Sequence, residues 1–329
     1  MRIAFEMDDY GGPDVLVARE RRDWEPGPGE VVVRSVASGV NRADAFIRSG
    51  AWKQAGPFPY VPGLEVAGLV ARAGAGTTLR EGDAVVTMMQ RLGGIHGERA
   101  GGYQSHVLVR EAVLARVPPG LDAKAAAALG LPAVTALLAL DALDVRPGQR
   151  VLVHAGSSAV GSMALELVRA LGAEPLGSGT SPAKFEFMRA HGAVDCVDTR
   201  SPEWAARVRR VDRALDLVGS ATFGATVRAL ADGGRLVFAG GTSGGELAFS
   251  GWDLMRGVTL AGYSSESLTQ GELGRALERL AALVVGSRVA VPAAQEFALA
   301  DAAAAHRALE SSAHAGRILL VPSPRPEGR

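Results

Sequence analysis

The 329-residue chain carries 35 Lys and Arg against 35 Asp and Glu, so no net field recruits nucleic acid or an anionic membrane. Its one cysteine, Cys196, excludes an internal disulfide and a multi-thiolate zinc site and fits a cytoplasmic setting. The length and 47% hydrophobic content suit two globular domains; Met1–Asp9 has no signal-type apolar core, and no apolar run is expected to reach the ~20 residues of a membrane span.

Residues 1–120 read as mostly β. The turn cluster Trp24-Glu25-Pro26-Gly27-Pro28-Gly29-Glu30 leads into a β-branched strand over 31–38. Gly39-Val40-Asn41-Arg42-Ala43-Asp44 opens a short helical piece ending at Arg48, and Pro57 to Pro62 form a rigid loop. Further strands are expected over 63–71, from Ala84, and in the stretch 101–107. Short strands punctuated by Gly and Pro predict a small barrel-like domain. Residues 88–100 show no period and read as a loop.

From residue 121 Ala-rich helices take over, at 123–129 and 133–143. Strands at 150–154, 174–177, 194–197, 213–218, 234–239 and 258–262 then alternate with helices at 160–171, 182–191, 202–209 and 222–231. That alternation predicts a doubly wound parallel sheet. A helix over 271–284, a strand pair, a helix ending near Glu310 and a strand over 317–321 follow, with 322–329 as a frayed tail.

The stretch Arg150-Val151-Leu152-Val153-His154-Ala155-Gly156-Ser157-Ser158-Ala159-Val160-Gly161 reads as strand, tight turn and helix. The first amides of such a helix and its positive dipole end suit a diphosphate. The dinucleotide fingerprint G-x-G-x-x-G falls on Gly156, Ser158 and Gly161, with serine at the middle position. By itself the turn also fits an ordinary strand-to-helix loop.

Five motifs occur in linked order: Asn41-Arg42-Ala43-Asp44 after Gly39-Val40, Pro62-Gly63-Leu64-Glu65, Gly82-Asp83-Ala84-Val85, Gly101-Gly102-Tyr103 and the 150–161 stretch. With them the chain resembles, over about residues 1–321, a medium-chain dehydrogenase/reductase of the zinc-free quinone oxidoreductase (zeta-crystallin-like) branch. The resemblance implies α/β plus β architecture. A GroES-like barrel catalytic domain (1–121 and 266–329) would receive an inserted Rossmann doubly wound parallel sheet (122–265). It also implies a homodimer joined through Rossmann edge strands, at 246–249 and 258–262.

Zinc enzymes of this superfamily place a cysteine where this chain has Asn41 and a histidine where it has Leu64, and neither replacement is a workable Zn²⁺ ligand here. The six histidines, His96, His106, His154, His191, His306 and His314, show no ligand spacing and read as surface or hydrogen-bonded core residues. No metal is therefore expected. Hydride delivery to an electron-poor C=C or quinone needs none, whereas deprotonating an alcohol without a Lewis acid is hard to arrange.

The expected cofactor is NADPH. NAD sites put Asp or Glu at the end of the second Rossmann strand. This chain has Gly177-Ser178-Gly179-Thr180-Ser181-Pro182-Ala183-Lys184 there, and hydroxyls with Lys184 suit a 2′-phosphate. Thr199 stands where the family often has tyrosine, and Ser312 where it has arginine; Arg200 or Arg317 are the candidate replacements. Gly156, Ser157, Ser158, Ala159, Val160 and Gly161 would hold the diphosphate. Gly219, Gly240, Tyr263 and Ser264 would line later strand ends, and Thr135 the nicotinamide side.

The catalytic candidates implied are Asn41, Asp44, Trp52 and Tyr60, with Tyr103 and Tyr263 as further pocket residues. Asn41 would reach the nicotinamide amide or the substrate carbonyl. Asp44 is expected to orient its neighbours rather than transfer protons, and Trp52 to stack on a planar acceptor. The proton would come from water or a tyrosine. The function expected is hydride transfer from NADPH to a quinone or α,β-unsaturated carbonyl in the interdomain cleft. The alternatives are a stand-alone enoyl reductase of a biosynthetic pathway and a non-catalytic NADPH-binding protein.

Overall fold

The computed structural model describes residues 1–52, 57–88 and 101–322. The expected 88–100 loop, with His96, lies outside them from residue 89, and the expected 322–329 tail from residue 323. The chain runs β1 (Arg2–Glu6), β2 (Val17–Arg21), β3 (Glu30–Gly39), α1 (Arg42–Ser49), β4 (Val66–Ala73), β5 (Ala84–Thr87), β6 (His106–Arg110), β7 (Ala115–Arg116) and α2 (Ala123–Leu143). It continues through β8 (Arg150–Val153), α3 (Ala159–Ala170), β9 (Glu174–Gly179), α4 (Phe185–Ala190), β10 (Asp195–Asp198), α5 (Trp204–Arg207), β11 (Val211–Asp216), α6 (Phe223–Ala229), β12 (Leu230–Phe238) and β13 (Thr259–Gly262). It ends with α7 (Gln270–Val285), β14 (Ala294–Ala298), α8 (Ala302–Glu310) and β15 (Arg317–Val321).

Two compact units result, one from 1–131, 265–285 and 291–329, the other from 132–264 and 286–290. The first change of unit falls between Leu131 and Pro132, later than the 121/122 expected, because α2 breaks there. Gly130 sits at φ 46°, ψ −156°, and Pro132 follows. The break separates the two helical segments read from the sequence.

In the first unit a seven-stranded sheet runs β14-β15-β3-β4-β5-β7, with β6 also paired to β3, and β1 and β2 form a separate antiparallel pair. Strand β3 is the spine, because its valines fill a core at Val31 and Val33 with Val66, Val70, Val85 and Val107. A second core joins Phe5, Val40, Tyr103, Leu309 and Leu320. The β1–β2 pair was not read from the sequence. The strand pair expected before the last helix is a single strand there, β14, which pairs in parallel with β15.

The second unit holds a six-stranded all-parallel sheet in the order β10-β9-β8-β11-β12-β13. Leu152, Leu176, Val197, Ala214 and Leu236 supply its core. Central strand β8 is buried at Val151, Leu152 and Val153, as a sheet covered on both faces requires. Residues 246–249, expected as an edge strand, form none; β13 is one edge of the sheet, and it is largely exposed.

The membrane reading needs one correction. Helix α2 is long and apolar enough to cross a bilayer by length and composition. Yet 83% of its apolar window is buried inside the protein, so it is a core helix.

Candidate functional site

The parallel sheet sends the carboxyl ends of β8, β9, β10, β11, β12 and β13 to one edge, where open α/β sheets bind ligands. That edge collects the fingerprint turn, Gly179 to Lys184, Gly219, Gly240, Tyr263 and Ser264. The turn after β8 bends through Ala155 at φ 50°, and Ser158 caps α3 by accepting the Gly161 amide at 3.0 Å. Gly161 has no room for a side chain. A methyl there would overlap the Ala155 carbonyl and come within 2.8 Å of the Gly156 Cα. The helix start is thus pressed onto the turn. The Ala159 and Val160 amides in the first turn have no intrahelical acceptor, which fits a diphosphate. Ser158 spends the third amide, an effect of serine replacing the middle glycine.

His154 organises the floor of this turn. It is fully buried, with Nδ1 2.6 Å from Ser178 Oγ and Nε2 2.7 Å from Thr226 Oγ1. Thr226 donates its hydroxyl to the Thr222 carbonyl at 2.9 Å, so it accepts from Nε2–H, and Ser178 donates to Nδ1. Burial lowers the His154 pKa and keeps the ring neutral. The expected role of Ser178 at the 2′-phosphate is therefore wrong: its side chain is buried in strand β9 and held by His154. Its carbonyl accepts the Gly156 amide at 2.9 Å, tying turn to strand.

Beyond Ser178, Gly179 and Thr180 reach the strand end, with Thr180 exposed and Ser181 and Lys184 half-buried. Thr199 lies beside them, its amide donating to the Gly179 carbonyl at 2.9 Å. Asp198 faces Gly179 across β9 and β10, so a carboxylate does stand by this end. Arg200 neutralises it through bonds of 3.0 and 2.7 Å, and that pairing lowers the Asp198 pKa. Neither candidate replacement arginine is open to a phosphate as expected. Arg200 is held by Asp198, and Arg317 is 1% exposed and paired with Glu65 in the other unit.

Farther along the edge, Gly219 sits at φ 89° and donates its amide to Asp216 Oδ1 at 2.9 Å. Gly240 follows β12, and the Tyr263 amide donates to the Phe238 carbonyl at 2.9 Å. Thr135 is buried in the second segment of α2.

In the first unit, the start of α1, the chain just before β4 and the start of β15 bring together Asn41, Asp44, Glu65 and Arg317. Asp44 is buried and accepts the Asn41 amide at 2.8 Å and the Leu64 amide at 2.9 Å. Burial pushes its carboxyl up to about 7, against the pull of those two amides and helped by the neighbouring Glu65 charge. Asn41 Nδ2 donates to Glu65 Oε1 at 2.7 Å and to Asp44 Oδ2 at 3.3 Å, while Oδ1 accepts from Arg317 Nη1 at 3.3 Å. With both amide hydrogens spent, Asn41 has an acceptor to offer and no donor for a substrate carbonyl, which corrects half of its expected role.

The aromatic candidates separate. Trp52 is 39% exposed and packs at a tilt on Phe46, with ring centroids 6.1 Å apart. Tyr60 is buried and bonds Met7 through both backbone groups at 2.9 Å. Tyr103 is not a pocket residue: it is fully buried, with Oη 3.0 Å from His306 Nε2. Arg48 Nε donates to His306 Nδ1 at 3.2 Å, and burial with the Arg48 charge pushes the His306 pKa down to about 3.

Among the described residues, no group of three or more His, Cys, Asp or Glu could hold a metal ion. Leu64 is a buried aliphatic and the Asn41 amide is already committed, so these residues do not fit a catalytic zinc site.

Residues 27–119 match the alcohol dehydrogenase GroES-like domain, and 191–320 match a family described as zinc-binding dehydrogenase. A quinone oxidoreductase from Pseudomonas aeruginosa is 33% identical, over 98% of this chain and 99% of its own. The chain belongs to the quinone oxidoreductase family of medium-chain dehydrogenases/reductases. This family member is an oxidoreductase. It is similar to the Escherichia coli quinone oxidoreductase solved in complex with NADPH, at 28% identity and TM-score 0.87, covering 97% of this chain and 100% of that one. A structure described as an NAD-dependent alcohol dehydrogenase is 30% identical, with TM-score 0.84, covering 98% of this chain and 100% of that one. The GroES-like and Rossmann architecture expected is the one observed. Glu65, His154 and Asp198 were not read as parts of either site, and Arg317 was read only as a candidate phosphate ligand. Glu65 lies in the Pro62-Gly63-Leu64-Glu65 motif and His154 in the 150–161 stretch, but neither motif gave them a role.

Proposed function

We propose that this family member is an NADPH-dependent, zinc-independent reductase of a quinone or α,β-unsaturated carbonyl. The observation that carries the reading is the α3 start pressed onto the β8 turn by Gly161, at the edge where six parallel strands end. The Ala159 and Val160 amides would hold the diphosphate. Thr180, Ser181 and Lys184 would hold the 2′-phosphate, with Thr199 beside them. Gly219, Gly240, Tyr263 and Ser264 would line the remainder, and Thr135 the nicotinamide side. The bound dinucleotide supplies the hydride.

The protein's own residues bind and orient. Asn41 Oδ1 would accept the carboxamide N–H, fixing which ring face is presented. Asp44 holds the Asn41 and Leu64 amides and so fixes the start of α1. Positioning of this kind lowers the barrier without a metal. Trp52 and Tyr60 are proposed acceptor-side residues, Trp52 by its exposed ring. The same reading makes the protein a cytoplasmic homodimer, the exposed β13 edge being open to a second sheet.

The test is NADPH and NADH oxidation by purified protein with a quinone and with an enone, before and after dialysis against EDTA. Faster turnover with NADPH, unchanged by EDTA, is expected. Preference for NADH, or loss of activity restored by Zn²⁺, would refute it.

A further inference from the structure

The ion pair between Glu65 and Arg317 lies outside every role assigned above. Both residues are buried, at 2% and 1% exposure, and Arg317 Nη2 donates to Glu65 Oε1 at 2.7 Å. Removing two charges from water is costly, so a buried pair persists where further hydrogen bonds complete it. Here those bonds do two things at once.

The first concerns the break in α2. In an unbroken helix the Leu131 amide would donate to the Ala127 carbonyl. Instead Leu131 donates to Glu65 Oε2 at 2.7 Å, and Arg317 Nη2 donates to the Ala127 carbonyl at 3.1 Å. The pair is inserted into the ladder and satisfies these two groups at the break. Gly130 supplies the space, since a methyl there would overlap both charged groups, and Gly39 does the same from β3.

The second concerns Asn41. Glu65 Oε1 accepts Asn41 Nδ2 at 2.7 Å, and Arg317 Nη1 donates to Asn41 Oδ1 at 3.3 Å. A carboxylate faces the amide nitrogen and a guanidinium faces the oxygen, so the pair selects one of the two amide orientations. Asp44 Oδ2, at 3.3 Å, agrees with that choice.

We propose that Glu65 and Arg317 are positioning residues acting through Asn41, and that their ion pair couples the orientation of that amide to the break in α2. The proposal rests on the nucleotide reading given above. Glu65→Gln keeps the shape but turns an N–H toward a ring of donors, namely Asn41 Nδ2, Arg317 Nη2 and the Leu131 amide. Arg317→Lys keeps the charge but has no fork with which to meet Glu65, Asn41 and Ala127 together.

The test titrates each variant by calorimetry with NADPH and with adenosine 2′,5′-bisphosphate, which has the adenosine end and no nicotinamide. Glu65→Gln and Arg317→Lys are expected to weaken NADPH about tenfold, the effect of one lost hydrogen bond, while leaving the bisphosphate within about twofold. The Asn41→Ala/Glu65→Gln double variant should bind NADPH no more weakly than Asn41→Ala alone. Equal losses for the two ligands would mean a merely structural pair and overturn the proposal, as would additive losses in the double variant. If Glu65→Gln does not fold, Arg317→Lys carries the same comparison. Wild-type protein that binds neither ligand would refute the nucleotide reading and this inference with it. Wild-type binding with unaltered variants would refute the inference alone.

Discussion

Asp44 makes stability depend on pH in an unusual direction. Its carboxyl is buried and titrates at about 7, against 3.8 for a free aspartate. The folded state therefore keeps this proton where the unfolded chain has released it. Stability from this group is fully present below the unfolded value and is lost as pH rises toward 7. From pH 5 to pH 8 the loss is about 3 kcal/mol, or roughly 9 °C in the melting temperature of a unit this size. His306, pushed down to about 3, works the other way up to its unfolded value near 6.5. The wild-type curve alone therefore mixes two opposed terms, and the difference from Asp44→Asn isolates one. Asparagine keeps a single acceptor for the Asn41 and Leu64 amides, at a cost of about 1–3 kcal/mol that does not change with pH. The assay is thermal unfolding of both proteins at intervals from pH 5 to 8.5. The variant should melt lower than wild type at pH 5 and gain on it as pH rises through 7. Parallel curves would show that Asp44 titrates as an ordinary surface carboxylate, and the burial argument would fail.

Two further outcomes follow from the nucleotide edge. Lys184→Ala should raise the KM for NADPH about tenfold and leave that for NADH unchanged, since only NADPH carries the 2′-phosphate; equal effects in steady-state kinetics would remove Lys184 from that site. Sedimentation equilibrium at micromolar concentration should give twice the monomer mass, because the exposed β13 edge invites pairing; monomer alone would contradict the edge-strand dimer.

The features legible in the sequence are those set by neighbours in the chain. The strand and helix alternation from 150 to 262, the turn at Gly156 and the halves of α2 around Gly130 and Pro132 all follow from local periodicity and backbone preference. The contact of Asn41 with Asp44 is equally local, since they are three residues apart at a helix start.

What the sequence left open was the partner of each buried polar group. Ser178 reads as a phosphate ligand until the fold sets it against His154, and Asp198 is unremarkable until β10 pairs with β9 and carries it opposite Gly179. Arg317 reads as a free cation, yet it is drawn to Glu65 across 252 residues of chain. Burial is the physical reason. A charge or hydroxyl removed from water must be met by whatever the folded chain brings within hydrogen-bonding reach, and that neighbour is chosen by strand order and helix placement rather than by residues adjacent in sequence.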